Sequence, residues 1–169
     1  VFTGRIIFPY WKNGKVVYLI GRQTPETPSK KDGSEPSKYQ KLLVHSDKFP
    51  YVSHAVQNSY FYGEDNLRGS DYCIITEGVA DCIVMLQAGF PCISPVTTRF
   101  KEKDHPKLLS LTKGLNRVYI CNDNEANQAG LKGALSTAEA LENAVIETRL
   151  IILPRPEGLD KIDIADYMK

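Results

Sequence analysis

The sequence contains no long hydrophobic run and no closely spaced pair of cysteines. Its longest apolar stretches, such as LIIL at residues 150–153, fall far short of the roughly 20 residues that cross a bilayer, and no secretory signal pattern opens the chain. We therefore expect a cytoplasmic protein without a membrane partner. In the absence of a CxxC pair, we expect buried reduced thiols rather than zinc ligands or disulfides at Cys73, Cys82, Cys92 and Cys121.

The chain also lacks an excess of one charge. It has 21 Lys and Arg residues against 20 Asp and Glu residues, a net charge of +1, which neither favours nor excludes a polyanionic partner. The charge is unevenly distributed, because residues 1–71 carry ten basic and seven acidic side chains, whereas residues 72–169 carry eleven and thirteen. With 42% hydrophobic and 24% charged residues, the composition is that of a globular protein.

The first of these two regions is expected to form a small, mixed, strand-rich domain. Two β-rich runs flank Asn13 and Gly14, a dipeptide that accepts the positive φ angles of a type I′ turn, so the pattern predicts a hairpin. Residues 24–37 combine proline, glycine, serine and charge without periodicity, which indicates a long exposed loop. A strand is predicted at residues 38–44, and residues 46–70 predict only short irregular elements with one turn of helix.

The second region, residues 72–169, alternates strands with helices. Each predicted strand is almost entirely apolar, and strands of this kind separated by helices imply a parallel sheet covered on both faces. The expected fold class is therefore α/β, with a doubly wound parallel sheet preceded by the strand-rich domain. The successive strand and helix pairs are YCIIT with VADCIVMLQA, CISPV with KDHPKLLSLTK, RVYIC with residues 128–143, and TRLIIL with residues 164–168.

Acidic residues follow three of the four predicted strands. In a parallel sheet the loops at the carboxyl ends of the strands meet in one crevice, where ligands normally bind. Carboxylates gathered there without interleaved lysine or arginine repel one another and raise each other's pKa, so such a cluster persists mainly when divalent cations neutralise it. Asp81 lies one helical turn beyond the first loop and is placed to reach back toward it. The clustered residues are Glu77 after the first strand, Asp123 and Glu125 after the third, and Asp160 and Asp163 after the fourth.

Helix capping is the alternative interpretation of these residues. Taken singly, an acidic residue at a strand end is more often a cap or a solvated loop charge than a ligand. Asp123 and Asp160 are each placed to accept hydrogen bonds from the free amides of a following helix. Capping does not require carboxylates at three strand ends on one edge of a sheet, however. The convergence favours a reactive or metal-binding site in which a rigid strand presents Glu77.

Motifs along the chain carry a resemblance to a known fold. The segments ITEGVAD, CNDNEANQAG and LDKIDIADYM look like a Toprim domain, the metal-binding fold shared by topoisomerases, bacterial-type primases and some nucleases and repair proteins. The first region narrows this choice, because GRIIFPYWKNGKVVYLIGRQ, KYQKLL and YFYGEDN resemble the N-terminal subdomain of the RNA-polymerising core of DnaG-type primases, including those fused to helicases in phages and plasmids. Nothing here resembles the separate domain that carries the nucleophilic tyrosine of a topoisomerase, which disfavours that class.

The resemblance implies a set of site residues. The Toprim glutamate falls on Glu77, as general base or metal ligand, with Gly78 and Asp81 in support. Arg22 closes an apolar strand beside a glycine, where its fork-shaped guanidinium can be aimed at a phosphate. The acidic pair is Asp-x-Glu where the family usually has Asp-x-Asp. The implied ligands of Mg²⁺ or Mn²⁺ are Glu77, Asp123, Glu125, Asp160 and Asp163, and the implied contacts with single-stranded template and nucleotides are Arg5, Arg22, Lys38 and Tyr39.

The resemblance also implies an activity. A DNA primase is a nucleotidyltransferase that joins ribonucleoside triphosphates into short RNA primers on single-stranded DNA, here with two metal ions, and it serves DNA replication together with a replicative helicase in the same or another chain. Two alternatives stay open. A Toprim-type metal-dependent nuclease leaves the primase-like first region unexplained, whereas the unusual acidic pair favours a non-catalytic Toprim scaffold that binds nucleic acid or a protein.

Overall fold

A three-stranded antiparallel sheet forms the centre of the first part of the chain. The computed structural model describes residues 2–169, which divide into one unit that ends at Tyr60 and another that spans Phe61–Lys169. In the first unit the strands pair in the order β1, β2, β3, each antiparallel to the next. Their bounds are β1 Arg5–Lys12, β2 Lys15–Gln23 and β3 Tyr39–Lys41.

The hairpin between β1 and β2 confirms the predicted turn. Asn13 and Gly14 both have positive φ angles, 53° and 71°, as a type I′ turn requires. The predicted loop after β2 is present as well, since residues 24–38 contain neither helix nor strand. The strand predicted at residues 38–44 is shorter than expected, because only the three residues of β3 pair with β2.

One face of this sheet carries buried side chains. Tyr10, Tyr18 and Ile20 are each at most 5% exposed, and the rings of Tyr10 and Tyr18 pack edge to face with their centroids 5.5 Å apart. The Tyr18 hydroxyl donates a hydrogen bond of 2.7 Å to the carbonyl oxygen of Leu42. This contact ties the segment that follows β3 to the hairpin.

The second unit is built on a four-stranded parallel sheet, as predicted. The strand order is β5, β4, β6, β8, and every neighbouring pair is parallel. β5 is shorter than predicted because Ser94 pairs with Tyr62 in an isolated bridge and the next residue, Pro95, has no amide proton to continue a ladder. The bounds are β4 Tyr72–Thr76, β5 Cys92–Ile93, β6 Arg117–Cys121 and β8 Thr148–Leu150.

Helices cover both faces of the parallel sheet. Successive strand residues point to opposite faces, so Cys73 and Ile75 of β4 pack in one hydrophobic cluster while Ile74 packs in the other. The first cluster includes residues of α2 and α3, and the second includes residues of α1 and α4. The helix bounds are α1 Val79–Gln87, α2 His105–Thr112, α3 Ala129–Glu142 and α4 Ile164–Tyr167.

The cysteines and the helices bear on two further expectations from the sequence. All four cysteines are free and buried, which confirms the predicted buried thiols. Within residues 2–169 no helix has both the length and the apolar character needed to cross a membrane.

The segment before β4 belongs with the second unit. Phe61 and Leu67 lie in the same hydrophobic cluster as β4 and β6, and the single helical turn predicted between residues 46 and 70 is a 3₁₀ helix at Glu64–Leu67. A second 3₁₀ helix, Glu102–Asp104, leads into α2. The proposed domain division at residue 71 stays a prediction, while the compact units of the structure part after Tyr60.

A two-stranded antiparallel sheet that the sequence did not predict lies beside the parallel one. It pairs β7, Asn124–Glu125, with β9, Lys161–Ile162. The register sets Glu125 opposite Lys161, and the amide of Ala126 extends the pairing by donating a 2.9 Å hydrogen bond to the carbonyl oxygen of Asp160. The loop after β6 is thereby held against the segment before α4.

Candidate metal centre

Glu77 lies at the carboxyl end of β4, in the two-residue turn before α1. The Ser94 hydroxyl donates a 2.9 Å hydrogen bond to the carbonyl oxygen of Glu77, and the Thr76 hydroxyl donates one of 3.3 Å to that of Gly78. Ser94 and Thr76 are fully buried. These contacts fix the backbone of the turn, so the position of the glutamate side chain is set by the sheet.

The Glu77 carboxylate is partly buried and electrostatically strained. Its Oε2 atom is inaccessible to solvent and has no hydrogen-bond partner among residues 2–169. Burial, followed by the negative charge of Asp123, raises the pKa of Glu77 to about 7, against the opposing effect of Lys161. A buried carboxylate oxygen without a donor is the kind of group that a bound cation would satisfy.

Asp81 is the second carboxylate of the site and lies in the first turn of α1. It is 6% exposed, and its Oδ1 atom accepts a 3.2 Å hydrogen bond from the amide of Ala165 at the start of α4. Burial raises the pKa of Asp81, and the nearby charges of Asp123 and Asp163 add to this increase, whereas the bond from Ala165 opposes it. A Cβ atom on Gly78 would lie 2.6 Å from Asp81 Oδ2, so the glycine makes room for this carboxylate.

Asp123 follows β6 and is held by a tightly packed loop. The side-chain amide of Asn122 donates hydrogen bonds to the carbonyl oxygens of Thr98, at 2.7 Å, and Gly130, at 3.0 Å. A Cβ atom on Gly130 would collide with the carbonyl oxygen of Asp123, so only glycine lets α3 begin this close to the loop. Burial raises the pKa of Asp123 even though it pairs with Lys161.

Asp81, Asp123 and Asp163 converge on one point. Each offers one carboxylate oxygen, and these three atoms all lie within 4.8 Å of one another. Two ligands on opposite sides of one hard divalent cation are about 4 to 5 Å apart, so the spacing fits such an ion. Asp163 also caps α4, since its Oδ1 atom accepts a 2.8 Å hydrogen bond from the amide of Asp166. A carboxylate has two oxygens, and capping leaves acceptor capacity for a cation.

Helix capping was the alternative interpretation of Asp123 and Asp160, but the aspartate that caps a helix is Asp163. The N-cap of α3 is Gln128 and that of α4 is Asp163, so neither Asp123 nor Asp160 caps a helix. The Asp160 side chain is exposed, while its carbonyl oxygen accepts hydrogen bonds from Ala126 and Arg155. Asp160 lies in the bend just before β9 and is not among the three aspartates whose carboxylates converge.

Lys161 contradicts the expectation that no basic residue interrupts the carboxylates. Its Nζ atom is hydrogen-bonded to Asp123 Oδ2 and lies 3.4 Å from Glu125 Oε1. Burial alone would lower the pKa of Lys161, but the contacts with Asp123 and Glu125 outweigh it and raise the pKa above its ordinary value. The ammonium group is therefore charged at neutral pH and offsets part of the negative charge.

The predicted basic residues of the first unit fall on two faces of the antiparallel sheet. Arg22 is directly opposite Tyr39 in the pairing of β2 with β3, and it is partly buried. Arg5 lies on the other face, over Gly21, where Nη1 donates hydrogen bonds to the carbonyl oxygens of Gly21 and Ser37. Lys38 is exposed. The structure thus places Arg22 beside Tyr39 and engages Arg5 with the backbone.

The sequence did not predict that Lys161 would pair with Asp123 and Glu125. It predicted Asp81 as a supporting residue, whereas the structure places Asp81 among the convergent carboxylates. A signal for Lys161 was available, because Lys161 and Asp163 are two residues apart and an extended chain would place both on the side facing the cluster. Asn122 and Ser94 also went unnoticed, since their contribution is to fix backbone and no charge marks them.

The family comparison covers this whole site. The family model described as Toprim-like matches residues 74–168, more than half of the chain. The chain therefore belongs to the Toprim-like family. The match includes every carboxylate that the structure brings together.

Longer relatives resemble nearly the whole chain. A DNA primase from Chlamydia muridarum is 26% identical over 161 residues, which are 95% of this chain and 24% of that protein. The structure of the DnaG catalytic core matches with a TM-score of 0.63 and 20% identity over 98% of this chain and 48% of that one. The DnaG primase catalytic domain bound to single-stranded DNA matches with a TM-score of 0.62 and 21% identity, over 93% and 45%. The chain has the fold of part of the DnaG core and spans about a quarter of the curated relative.

Proposed function

We propose that the chain is the RNA-polymerising core of a DNA primase, a nucleotidyltransferase that joins ribonucleoside triphosphates on a single-stranded DNA template. The observation that carries the proposal is the buried, partnerless Oε2 atom of Glu77 beside the convergent aspartates, on a fold similar to that of the DnaG catalytic core. The similarity in sequence to a DNA primase supports the choice among Toprim activities.

The residues fit a divalent metal ion. A site whose ligands are all oxygen atoms favours Mg²⁺ or Mn²⁺. Asp81, Asp123 and Asp163 would hold it, with Glu77 and Glu125 at the edge of the same group. When bound, such ions lower the pKa of an attacking hydroxyl and neutralise phosphate charge, a task that two-metal sites divide between two ions. Asp160, once a proposed ligand, is not among the convergent groups.

Glu77 is assigned the proton transfer. Its carboxylate is fixed at the end of a buried strand and has a pKa of about 7, raised first by burial and then by Asp123. A general base works best when its pKa is near the working pH. In this proposal the Glu77 carboxylate accepts, at its other oxygen Oε1, the proton of the 3′-hydroxyl. The hydroxyl oxygen bonds to the α-phosphorus of the incoming nucleotide, and pyrophosphate leaves with the electrons of the bond that breaks. The Ser94 hydroxyl keeps the backbone of Glu77 in place.

The first unit is assigned the template. Arg22 and Tyr39 lie side by side on one sheet face, which combines a phosphate-binding group with a ring on which a base can stack. Arg5 positions the neighbouring loop, since it donates to the carbonyl oxygen of Ser37 and so fixes the residue before Lys38. The DnaG primase domain solved with single-stranded DNA supports this assignment. Work with a replicative helicase, in cis or in trans, is part of the same proposal.

Primer synthesis tests the proposal. The full-length protein is incubated with single-stranded DNA, labelled ribonucleoside triphosphates and Mg²⁺ or Mn²⁺, and the products are separated by length. We expect labelled oligoribonucleotides that depend on both template and metal. Cleaved DNA without incorporation would favour the metal-dependent nuclease. Binding of DNA with neither reaction would favour the non-catalytic scaffold. The structural argument for a scaffold is that Lys161 already pairs with Asp123 and Glu125, two of the predicted metal ligands.

A further inference from the structure

Lys161 occupies a place between two carboxylates that a cation would otherwise take. The Nζ atom is in hydrogen-bond contact with Asp123 and is 3.4 Å from Glu125 Oε1. A hard cation bound to both carboxylates would have to lie between the same two oxygens, where the ammonium group already lies and where its positive charge would repel the ion. Lysine and a second metal ion are therefore mutually exclusive at this position.

The fold holds Lys161 in this position. The β7–β9 pairing sets Lys161 directly opposite Glu125, and side chains opposite each other in an antiparallel pair lie on the same face of the sheet. The amide of Ala126, which bonds to the carbonyl oxygen of Asp160, fixes the same register from the next residue. The backbone pairing thus sets the face on which Lys161 lies, and the contacts with Asp123 and Glu125 hold its exposed side chain there.

The convergent aspartates are a different position within the same cluster. Asp123 uses Oδ2 for Lys161 and, with two oxygens, retains acceptor capacity for the group formed with Asp81 and Asp163. No lysine or arginine is paired with Asp81 by any ion pair found in residues 2–169. Lys161 neutralises the position between Asp123 and Glu125. The position among Asp81, Asp123 and Asp163 is available to a cation.

We propose that in the nucleotide-free protein Lys161 stands in for a second divalent cation between Asp123 and Glu125, so that the site binds one divalent ion where two carboxylate-lined positions exist. The inference rests on the proposed function, because it assumes that Asp81, Asp123 and Asp163 bind the first ion. It makes Lys161 a positioning residue that sets metal stoichiometry.

Manganese binding tests this inference without any catalytic assay. The number of Mn²⁺ ions bound by the nucleotide-free protein is counted by electron paramagnetic resonance and calorimetry at fixed ionic strength. We expect one ion in the wild type and two in Lys161→Met, which keeps the length of the side chain and removes its charge. The second ion should bind about tenfold or more tightly than any second ion in the wild type, because a positive charge within a few ångströms is gone.

Three companion variants sharpen the result. Lys161→Arg retains the charge and should bind one ion, whereas Lys161→Gln, a polar replacement in case the methionine variant folds poorly, should bind two. Lys113→Met is the matched control, since Lys113 is an exposed residue at the end of α2 and contributes to none of the pKa shifts of Glu77, Asp81 and Asp123; it should bind one ion.

The outcomes separate the two proposals. If the wild type binds one ion, Asp81→Asn abolishes that binding and both uncharged Lys161 variants still bind only one ion, the inference about Lys161 is overturned and the metal centre stands. If neither the wild type nor the Lys161 variants bind Mn²⁺, the metal centre itself is overturned and the inference with it. Binding by Lys161→Met in the absence of binding by the wild type would also overturn the inference, because the aspartates would then fail to bind the first ion while Lys161 is present.

Discussion

Glu77 combines a raised pKa with a buried carboxylate oxygen that has no hydrogen-bond partner among residues 2–169. An ionised carboxylate that is buried without a hydrogen-bond donor costs free energy, and here three other carboxylates raise the cost by repulsion: Asp81, Asp123 and Glu125. The fold retains this arrangement, with the loop backbone locked by Ser94. Such a site is under electrostatic strain at neutral pH until a proton or a cation relieves it.

The pH dependence of stability follows from the raised pKa of Glu77. Its pKa is about 7 in the folded protein against 4.5 for an ordinary glutamate, so between these values the folded state binds more protons and the free energy of unfolding falls as pH rises. Glu77→Gln mimics the protonated form. Without metal, we expect the variant to melt at a higher temperature than the wild type at pH 8 and at nearly the same temperature at pH 5.

Thermal melts at both pH values check this expectation. Asp81 and Asp123 have raised pKa values as well, so the difference between the variant and the wild type isolates Glu77 from their shared slope. A difference in melting temperature that is equal at pH 5 and pH 8 would contradict the raised pKa.

The positions of the carboxylates along the backbone were predictable, but the directions of their side chains were not. Acidic loops on one edge follow from the parallel order of the strands, which is why Asp123 lies close to both Glu77 and Asp163. Asp160 precedes β9 and Lys161 begins it, and the face on which Lys161 lies depends on the register of β9. That register is set by pairing with β7, which is 36 residues earlier in the chain.

At the scale of secondary structure, the pairing of β7 with β9 assembles the site. It joins the loop after β6 to the segment before α4 and so brings Asp163 to Asp81 and Asp123. Strands of two residues carry no hydrophobic periodicity, so a sequence pattern cannot reveal them. The longer elements β4, β6, α1 and α3 were predictable because their apolar residues repeat with the period of a strand or a helix.

Metal-dependent stabilisation distinguishes the structural from the sequence-based ligand set. A ligand that binds only the folded state stabilises it by mass action, about 2.7 kcal/mol at one hundred times its Kd, which for a chain of this size raises the melting temperature by several degrees. We expect this shift with Mn²⁺ in the wild type, its loss in Asp81→Asn, and its retention in Asp160→Asn. Differential scanning fluorimetry with and without Mn²⁺ measures it.

The two asparagine variants control for each other, since each removes one negative charge from the same unit. Loss of the shift in Asp160→Asn together with its retention in Asp81→Asn would show that the sequence-based ligand set was the better one.

At the scale of the whole molecule, the two units differ in charge and, under the proposed function, in task. The first region has a small excess of basic residues, and the second holds the carboxylate cluster. Phosphate contacts dominate the affinity of nucleic-acid binding and make it depend on salt. The proposed division of labour therefore predicts that variants of one unit change template affinity and variants of the other change chemistry.

Salt dependence of single-stranded DNA binding tests the part assigned to the first unit. We expect affinity to fall steeply with salt and with little sequence preference, and Arg22→Ala and Lys38→Ala each to reduce the salt slope by about one phosphate contact. Arg149→Ala is the matched control, because it removes the same charge from an exposed ion pair with Glu147. Fluorescence anisotropy over a salt series measures the slopes. A double variant with the affinity and slope of the wild type would place the binding surface elsewhere.

Ribonucleotide incorporation by Glu77→Gln in the full-length protein tests the central claim most directly. The amide keeps the size of the side chain but cannot accept the proton, so we expect fold and DNA affinity to be retained while incorporation on a single-stranded template falls by roughly 10²-fold or more. Glu139→Gln, an exposed position on α3, should incorporate at the wild-type rate. Incorporation by Glu77→Gln at the wild-type rate would contradict the account.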